Sequence, residues 1–152
     1  MRTVRDFSEF IDDGIVKKQS PDPSRARFLK GESENSYSFL LEIVDNYGIT
    51  DKNANTIIKL CYDIIMELIR AQMLMEGYNA HGKGAHEAEV SYLRRLDFSE
   101  NDIQFADQFR YFRNGIMYYG KKLDSEYAQK VWDFLKKAQN SLSKTIYTQG
   151  MK

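Results

Sequence analysis

A single cysteine, Cys61, is too few for an internal disulfide or a multi-cysteine zinc site. His81 and His86 are the only histidines, so a metal centre would have to rest on carboxylates. Neither a metal nor a cofactor is expected. Proline is equally scarce: Pro21 and Pro23 are the only two, and none follows them. Because proline interrupts helices and marks turns, its absence beyond Pro23 favours long helices over a loop-rich β fold. Neither sign of charge is in excess, since 22 basic residues face 22 acidic ones. That balance argues against a bulk electrostatic binder of nucleic acid, while leaving room for a local basic patch. Long hydrophobic runs are also missing. The most apolar segment, Thr56 to Met75, is interrupted by Lys59, Asp63, Glu67 and Arg70, too costly for a membrane span. The opening MRTVRDFSEF lacks the apolar stretch of a signal peptide. The reading is a soluble, cytoplasmic protein with no membrane partner.

What remains is enough to build a core. Hydrophobic residues make up 42% of the 152 positions and aromatic ones 13%, far above what disorder requires. The length suits one domain, with a short helix and turn over 1–20 and a flexible tail at 150–152. No repeat is visible, and no stretch alternates apolar and polar residues over a strand's length. The expected fold is all-α, an antiparallel helical bundle of about five or six helices.

Caps and glycines place those helices. The first runs near Asp6–Asp13 and stops at Gly14. Lys17 and Lys18 then read as a solvated turn. Asp22 and Pro23 form an N-cap followed by proline at the first helical position. That second helix reaches Tyr47, with Leu29, Ser36, Leu40, Ile43 and Tyr47 near helical spacing and Gly48 beyond. The third runs from about Asp51 to Gly77. Its stripes Ile57, Cys61, Ile64, Leu68 and Ile58, Ile65, Ile69 mark it as the most buried element. Tyr78 to Ala85 reads as a glycine-bearing flexible loop, and a short fourth helix covers His86–Leu96. Ser99 caps the fifth, which ends at Gly120 with Phe105, Phe109, Phe112 and Ile116 on one face. Asp124 and Ser125 cap the sixth, about Glu126–Tyr147, with Ala128, Val131, Phe134, Leu135, Ala138 and Leu142 inward.

The segment Gln108–Leu123, QFRYFRNGIMYYGKKL, carries Arg110, Arg113, Lys121 and Lys122 and no acid. At 100° per residue, Arg113, Asn114 and Tyr118 fall within a wedge of about 140°. Arg110, Asn114 and Tyr118 also follow one another at four-residue steps. A guanidinium, an amide and a phenol on a helix suit a phosphate and a stacked base. The competing reading has the arginines solvated or paired with nearby acids and puts the aromatics in the core. The same helix has more apolar surface than one inward face needs, from Phe105 through Tyr111, Met117, Tyr118 and Tyr119, which predicts a subunit interface and a homodimer.

The run Arg113-Asn114-Gly115-Ile116-Met117-Tyr118-Tyr119-Gly120 resembles the signature of HEPN domains. These show Arg-Asn, a few mainly apolar residues, His and often Gly-Tyr on a late helix. The proline-containing start of the second helix agrees, as does the third helix ending at Met73–Tyr78. So do His86 in the next loop, a short helix ending in Leu, and Asp97-Phe98-Ser99 before the signature helix. The resemblance spans roughly Pro21 to Leu142. It implies a helical bundle that dimerises, so that two signature helices line one cleft. Active members are metal-independent endoribonucleases, often toxins paired with a small nucleotidyltransferase. In them the Arg binds phosphate, and the His transfers protons beside a ribose 2′-hydroxyl.

Arg113 and Asn114 carry over directly, while the histidine position holds Tyr118. A tyrosine with its unperturbed pKa near 10 is only about 0.1% phenolate at pH 7, a poor general base. The tyrosine that receives nucleotide modification in the family falls at Gly120. Two readings follow. The first is a dimeric module that binds RNA or a nucleotide through Arg110, Arg113, Asn114 and Tyr118, acting with a nucleotidyltransferase partner. The second is a metal-independent endoribonuclease using Arg113 and Tyr118. Elsewhere, His81 and His86 lack the i, i+4 spacing of a zinc pair. His86 is either structural or turned toward the cleft. Lys83-Gly84 lacks the spacing of a phosphate loop, and Cys61 reads as a small core residue.

Overall fold

The computed structural model describes residues 3–150, with side chains up to residue 144. Six α-helices carry the fold: α1 (Phe7–Asp12), α2 (Pro23–Tyr47), α3 (Ala54–Glu76), α4 (Ala85–Ser91), α5 (Glu100–Tyr119) and α6 (Ser125–Gly150). The chain is an all-α helical bundle. The tail expected at 150–152 lies outside the described residues apart from Gly150, which is still helical.

The ends of the helices follow from local chemistry. The Asp22 carboxylate accepts the Arg25 N–H at 3.1 Å, with Pro23 opening α2. Ser99 accepts the Asp102 N–H at 3.1 Å and so starts α5. α3 closes on Gly77 at φ 87°. A Cβ there would lie 2.5 Å from the Gln19 carbonyl oxygen, so glycine is required by space as well as by conformation. Between α2 and α3, Thr50 and Asn53 cap each other. The Thr50 N–H donates to Asn53 Oδ1 at 2.9 Å, and the Asn53 N–H to Thr50 Oγ1 at 3.3 Å. α3 therefore begins a few residues later than Asp51.

α3 forms the axis of the bundle. Both of its predicted stripes are buried, along with Tyr62, Met66 and Met73. α2 and α6 pack most extensively against it, and α4 and α5 also contact it. All six residues expected to face inward from α6 are buried. Each fully buried Leu, Ile or Phe contributes about 1.5–3 kcal/mol, so α3 with its partners supplies most of the hydrophobic stabilisation. Tyr47 is the exception among the expected core residues; it stands in solvent at the end of α2.

Three local features differ from the sequence reading. Val16–Lys18 (β1) and Tyr78–Ala80 (β2) form a two-stranded antiparallel pair, with Val16 opposite Ala80 and Lys18 opposite Tyr78. Lys17 and Lys18 are thus in a strand, and the expected flexible loop begins only after Ala80. Three residues are too few for alternation to register, and the pairing joins segments far apart in sequence. The fourth helix is α-helical only to Ser91 and tightens into a 3₁₀ turn over Tyr92–Leu96. Finally, the α6 cap is Asp124 alone, its Oδ1 accepting the Tyr127 N–H at 2.9 Å. Ser125 is the first helical residue and donates its N–H to Asp51 Oδ1. No helix among the described residues is long and apolar enough to cross a membrane.

Candidate functional site

The residues singled out on α5 separate onto two sides of the helix. Phe109 is buried toward the core, and the residues near its azimuth face α3. Arg110 lies on this inner half and is locally neutralised. Its Nε and Nη2 both contact Asp107 Oδ1 at 3.0 Å, and both side chains are largely buried. Arg113 is also turned inward. Its guanidinium carbon lies 4.7 Å from the centre of the Tyr62 ring, and Nη2 is 3.8 Å from Asp63 Oδ1. Its Nε is buried without a hydrogen-bond partner. The reading that pairs arginines with acids therefore describes Arg110 fully. Arg113 it describes only loosely, since 3.8 Å is a charge contact rather than a hydrogen bond.

Tyr62 is the centre of this inner side. Its hydroxyl is buried and has no partner. Burial pushes its pKa up to about 12, against the pull of Arg113, Arg70 and Arg110, and with Glu89 adding to the rise. Three cations and one carboxylate thus converge electrostatically on one phenol. Beyond Tyr62, Arg70 grips the buried Glu89 through Nε at 2.6 Å and Nη2 at 3.3 Å, and His86 joins the same carboxylate. Burial works against the Arg70 charge, but the Glu89 hydrogen bond and charge outweigh it and hold the guanidinium pKa above its ordinary value.

Asn114 and Tyr118 lie on the outer half of α5. With Tyr111, Tyr119 and Lys121 they border a groove of about 220 Å³. Three tyrosines stand in solvent here: Tyr111 at 67%, Tyr118 at 71% and Tyr119 at 79% exposure. The other half of the ion-paired reading, aromatics packed in the core, fails for these three. The groove exists because α5 ends abruptly. Gly120 turns left-handed at φ 65°, and the Lys121 N–H returns to the Gly115 carbonyl at 3.2 Å. Gly115 leaves room for the Lys121 stem, since a Cβ there would sit 3.2 Å from Lys121 Cδ. Asn55 of α3 fixes the turn, donating to the Lys121 carbonyl at 3.0 Å and accepting the Leu123 N–H at 2.9 Å. The Lys122 ammonium donates to the Asp51 carbonyl, so this lysine also serves the connection to α6.

The structure thus joins Asn114 to Tyr118 and Arg113 to Tyr62, and does not bring Arg113 and Tyr118 together. Sequence reasoning overlooked Tyr62, Arg70 and Glu89 as a group. The available signal was the charge interrupting the most apolar helix: Asp63, Glu67 and Arg70 recur at three- and four-residue steps on one side of α3. His81 is exposed in the loop before α4, apart from His86's partners. Among the described residues, no group of three or more His, Cys, Asp or Glu side chains is placed to hold a metal ion. Cys61 is buried, and burial pushes its thiol pKa up, which suits a packing role. No family model, curated protein or solved structure matches the chain.

Proposed function

We propose that the protein is a HEPN-like, dimeric helical module that binds RNA or a nucleotide. The observation that carries this reading is the outer groove of α5. There three exposed tyrosines, an amide and a lysine border one concavity on a segment without acidic residues. Exposed aromatic rings beside cations suit unstacked bases and their phosphates, and every base offers a face for stacking. Arg113 lies around the helix from the groove. An α-helix with side chains is about 10–12 Å across, so a strand of a few nucleotides can reach both, whereas a mononucleotide can occupy only one. The geometry therefore favours single-stranded RNA.

Dimerisation belongs to the same reading. Tyr111, Met117, Tyr118 and Tyr119 leave more apolar surface in solvent than a helix end normally does. Pairing two copies along α5 would place their grooves side by side. A nucleotidyltransferase partner rests on the resemblance of the Arg113–Gly120 run.

The test is a fluorescence-anisotropy titration with a short single-stranded RNA in EDTA, beside light scattering at micromolar concentration. The expected result is a dimer whose RNA affinity falls when Tyr118 and Tyr119 are both replaced by alanine. A monomer removes the dimer from the reading, and an RNA affinity indifferent to both tyrosines removes the groove.

A further inference from the structure

The inner side of α2 is marked by the buried Ala26, Ser33 and Leu40. Phe28 and Phe39 point the other way, 64% and 60% exposed. They are eleven residues apart, which at 100° and 1.5 Å per residue sets them within about 20° of one another and about 17 Å apart. The charge along this outer face changes sign from one ring to the other. Arg25 lies one turn before Phe28 and Glu42 one turn after Phe39, both exposed. Neither is in an ion pair among the described residues. Between the rings lies Gly31. Glycine in the middle of a helix is destabilising, and a Cβ at this position would meet nothing within 4 Å. The chain's own packing therefore does not call for it. What the missing side chain allows here is the close approach of another backbone.

We propose that this face of α2 is an interaction surface for a second copy of the chain, with the two α2 helices antiparallel across a twofold axis between Ser33 and Glu34. In a twofold contact every pairing occurs twice, once in each direction. Setting Phe28 of one protomer on Phe39 of its partner fixes the register. The same register brings Arg25 onto Glu42 at both ends of the contact. Near the axis Asn35 falls opposite Glu32, whose carboxylate accepts from the amide. A parallel pair would instead set Arg25 against Arg25 and Glu42 against Glu42, so the charges select the antiparallel arrangement. The occupant is a second copy because the chain itself carries both halves of the complement. The surface lies on a different helix from the α5 pairing proposed above and does not depend on it. A chain that uses both contacts builds assemblies larger than a dimer.

The experiment is analytical ultracentrifugation of the full chain over a micromolar concentration range, for the wild type and a set of α2 variants. Phe28, Phe39, Arg25 and Glu42 are exposed and the space at Gly31 is open, so these changes leave the core untouched. Phe28→Ala combined with Phe39→Ala is expected to raise the dissociation constant of this contact at least about 100-fold, the scale of losing aromatic anchors from an interface centre. Gly31→Leu is expected to weaken pairing as well, with the helix content by circular dichroism retained. Arg25→Glu alone and Glu42→Arg alone each weaken pairing by about tenfold or more. The two charge changes in one chain restore it, because each end of the reciprocal contact regains an opposite pair. A wild type that stays monomeric over the whole range overturns the proposal. So does self-association that is indifferent to the Phe28 and Phe39 changes, or that the exchanged charges fail to restore. Self-association lost only in a Tyr118→Ala, Tyr119→Ala chain would assign it to α5 alone, which rejects the α2 surface and leaves the α5 pairing standing.

Discussion

Two helices leave large aromatic side chains in solvent, and the charge around them has opposite sign. On α2, Phe39 and Tyr47 are exposed, and the stretch Gly31–Tyr47 that holds them carries Glu32, Glu34, Glu42 and Asp45 without one basic residue. On α5, Tyr111, Tyr118 and Tyr119 are exposed, and Gln108–Leu123 has four cations and no acid. Stacking capacity alone does not distinguish the two surfaces. The phosphate charge of a nucleic acid does, because its field is repelled by one and attracted by the other. A chain with zero net charge thus presents one set of exposed aromatics among cations and another among carboxylates.

The comparison can be sharpened by separating what holds α5 from what α5 displays. The largest effect is expected inside the bundle, where Tyr62→Ala removes the buried ring beneath Arg113. It should cost about 3–5 kcal/mol in denaturant unfolding, the scale of a large aromatic deleted from a core. Tyr119→Ala on the outer side should change stability by less than about 0.5 kcal/mol. Equal costs would mean that the two sides of α5 are not distinct. Next comes Arg113→Ala, expected to weaken RNA binding by about 1–3 kcal/mol, the scale of a lost charged hydrogen bond, with the dimer intact. If the fold or the dimer fails instead while affinity per folded dimer is constant, Arg113 is only a partner of Tyr62 and Asp63.

Smaller effects bear on the two aromatic faces directly. Tyr118→Ala should cost about 1 kcal/mol of RNA affinity, the low end for one stacked base. Phe39→Ala should cost nothing measurable in the same titration. Lys122→Ala should act mainly by lowering the salt dependence of binding, with a slope reduced by about 1. Its ammonium already serves the Asp51 carbonyl, so its loss should scarcely alter binding at high salt. The smallest effect lies away from both faces. Arg94 hydrogen bonds hold the Glu100 carboxyl below its ordinary pKa. The stabilisation is therefore present above the unfolded-state value and lost as pH falls through the folded one. Glu100→Gln should flatten the stability curve slightly on its acid side, measured by thermal unfolding.

Much of the fold was legible because helices announce themselves locally. The Asp22 and Ser99 caps, the stops at Gly48, Gly77 and Gly120, and the stripes of α3 and α6 all follow from neighbouring residues. The β1–β2 pair was not legible, since its partners are some 60 residues apart in sequence. The candidate site divides in the same way. Arg110, Arg113, Asn114 and Tyr118 could be picked out from one helix. Their separation depends on where α3 lies, as does the meeting of Arg113 with Tyr62. The Arg70–Glu89–His86 group comes from two helices and a fold-level contact that no spacing encodes.

The most direct measurement is ultraviolet cross-linking of the wild-type protein to a uniform single-stranded RNA, with the attached peptides mapped by mass spectrometry. The account predicts cross-links concentrated on the peptides containing Tyr111, Tyr118 and Tyr119, and none on the peptide containing Phe39. Cross-links on the α2 face, or spread evenly over both, would contradict it.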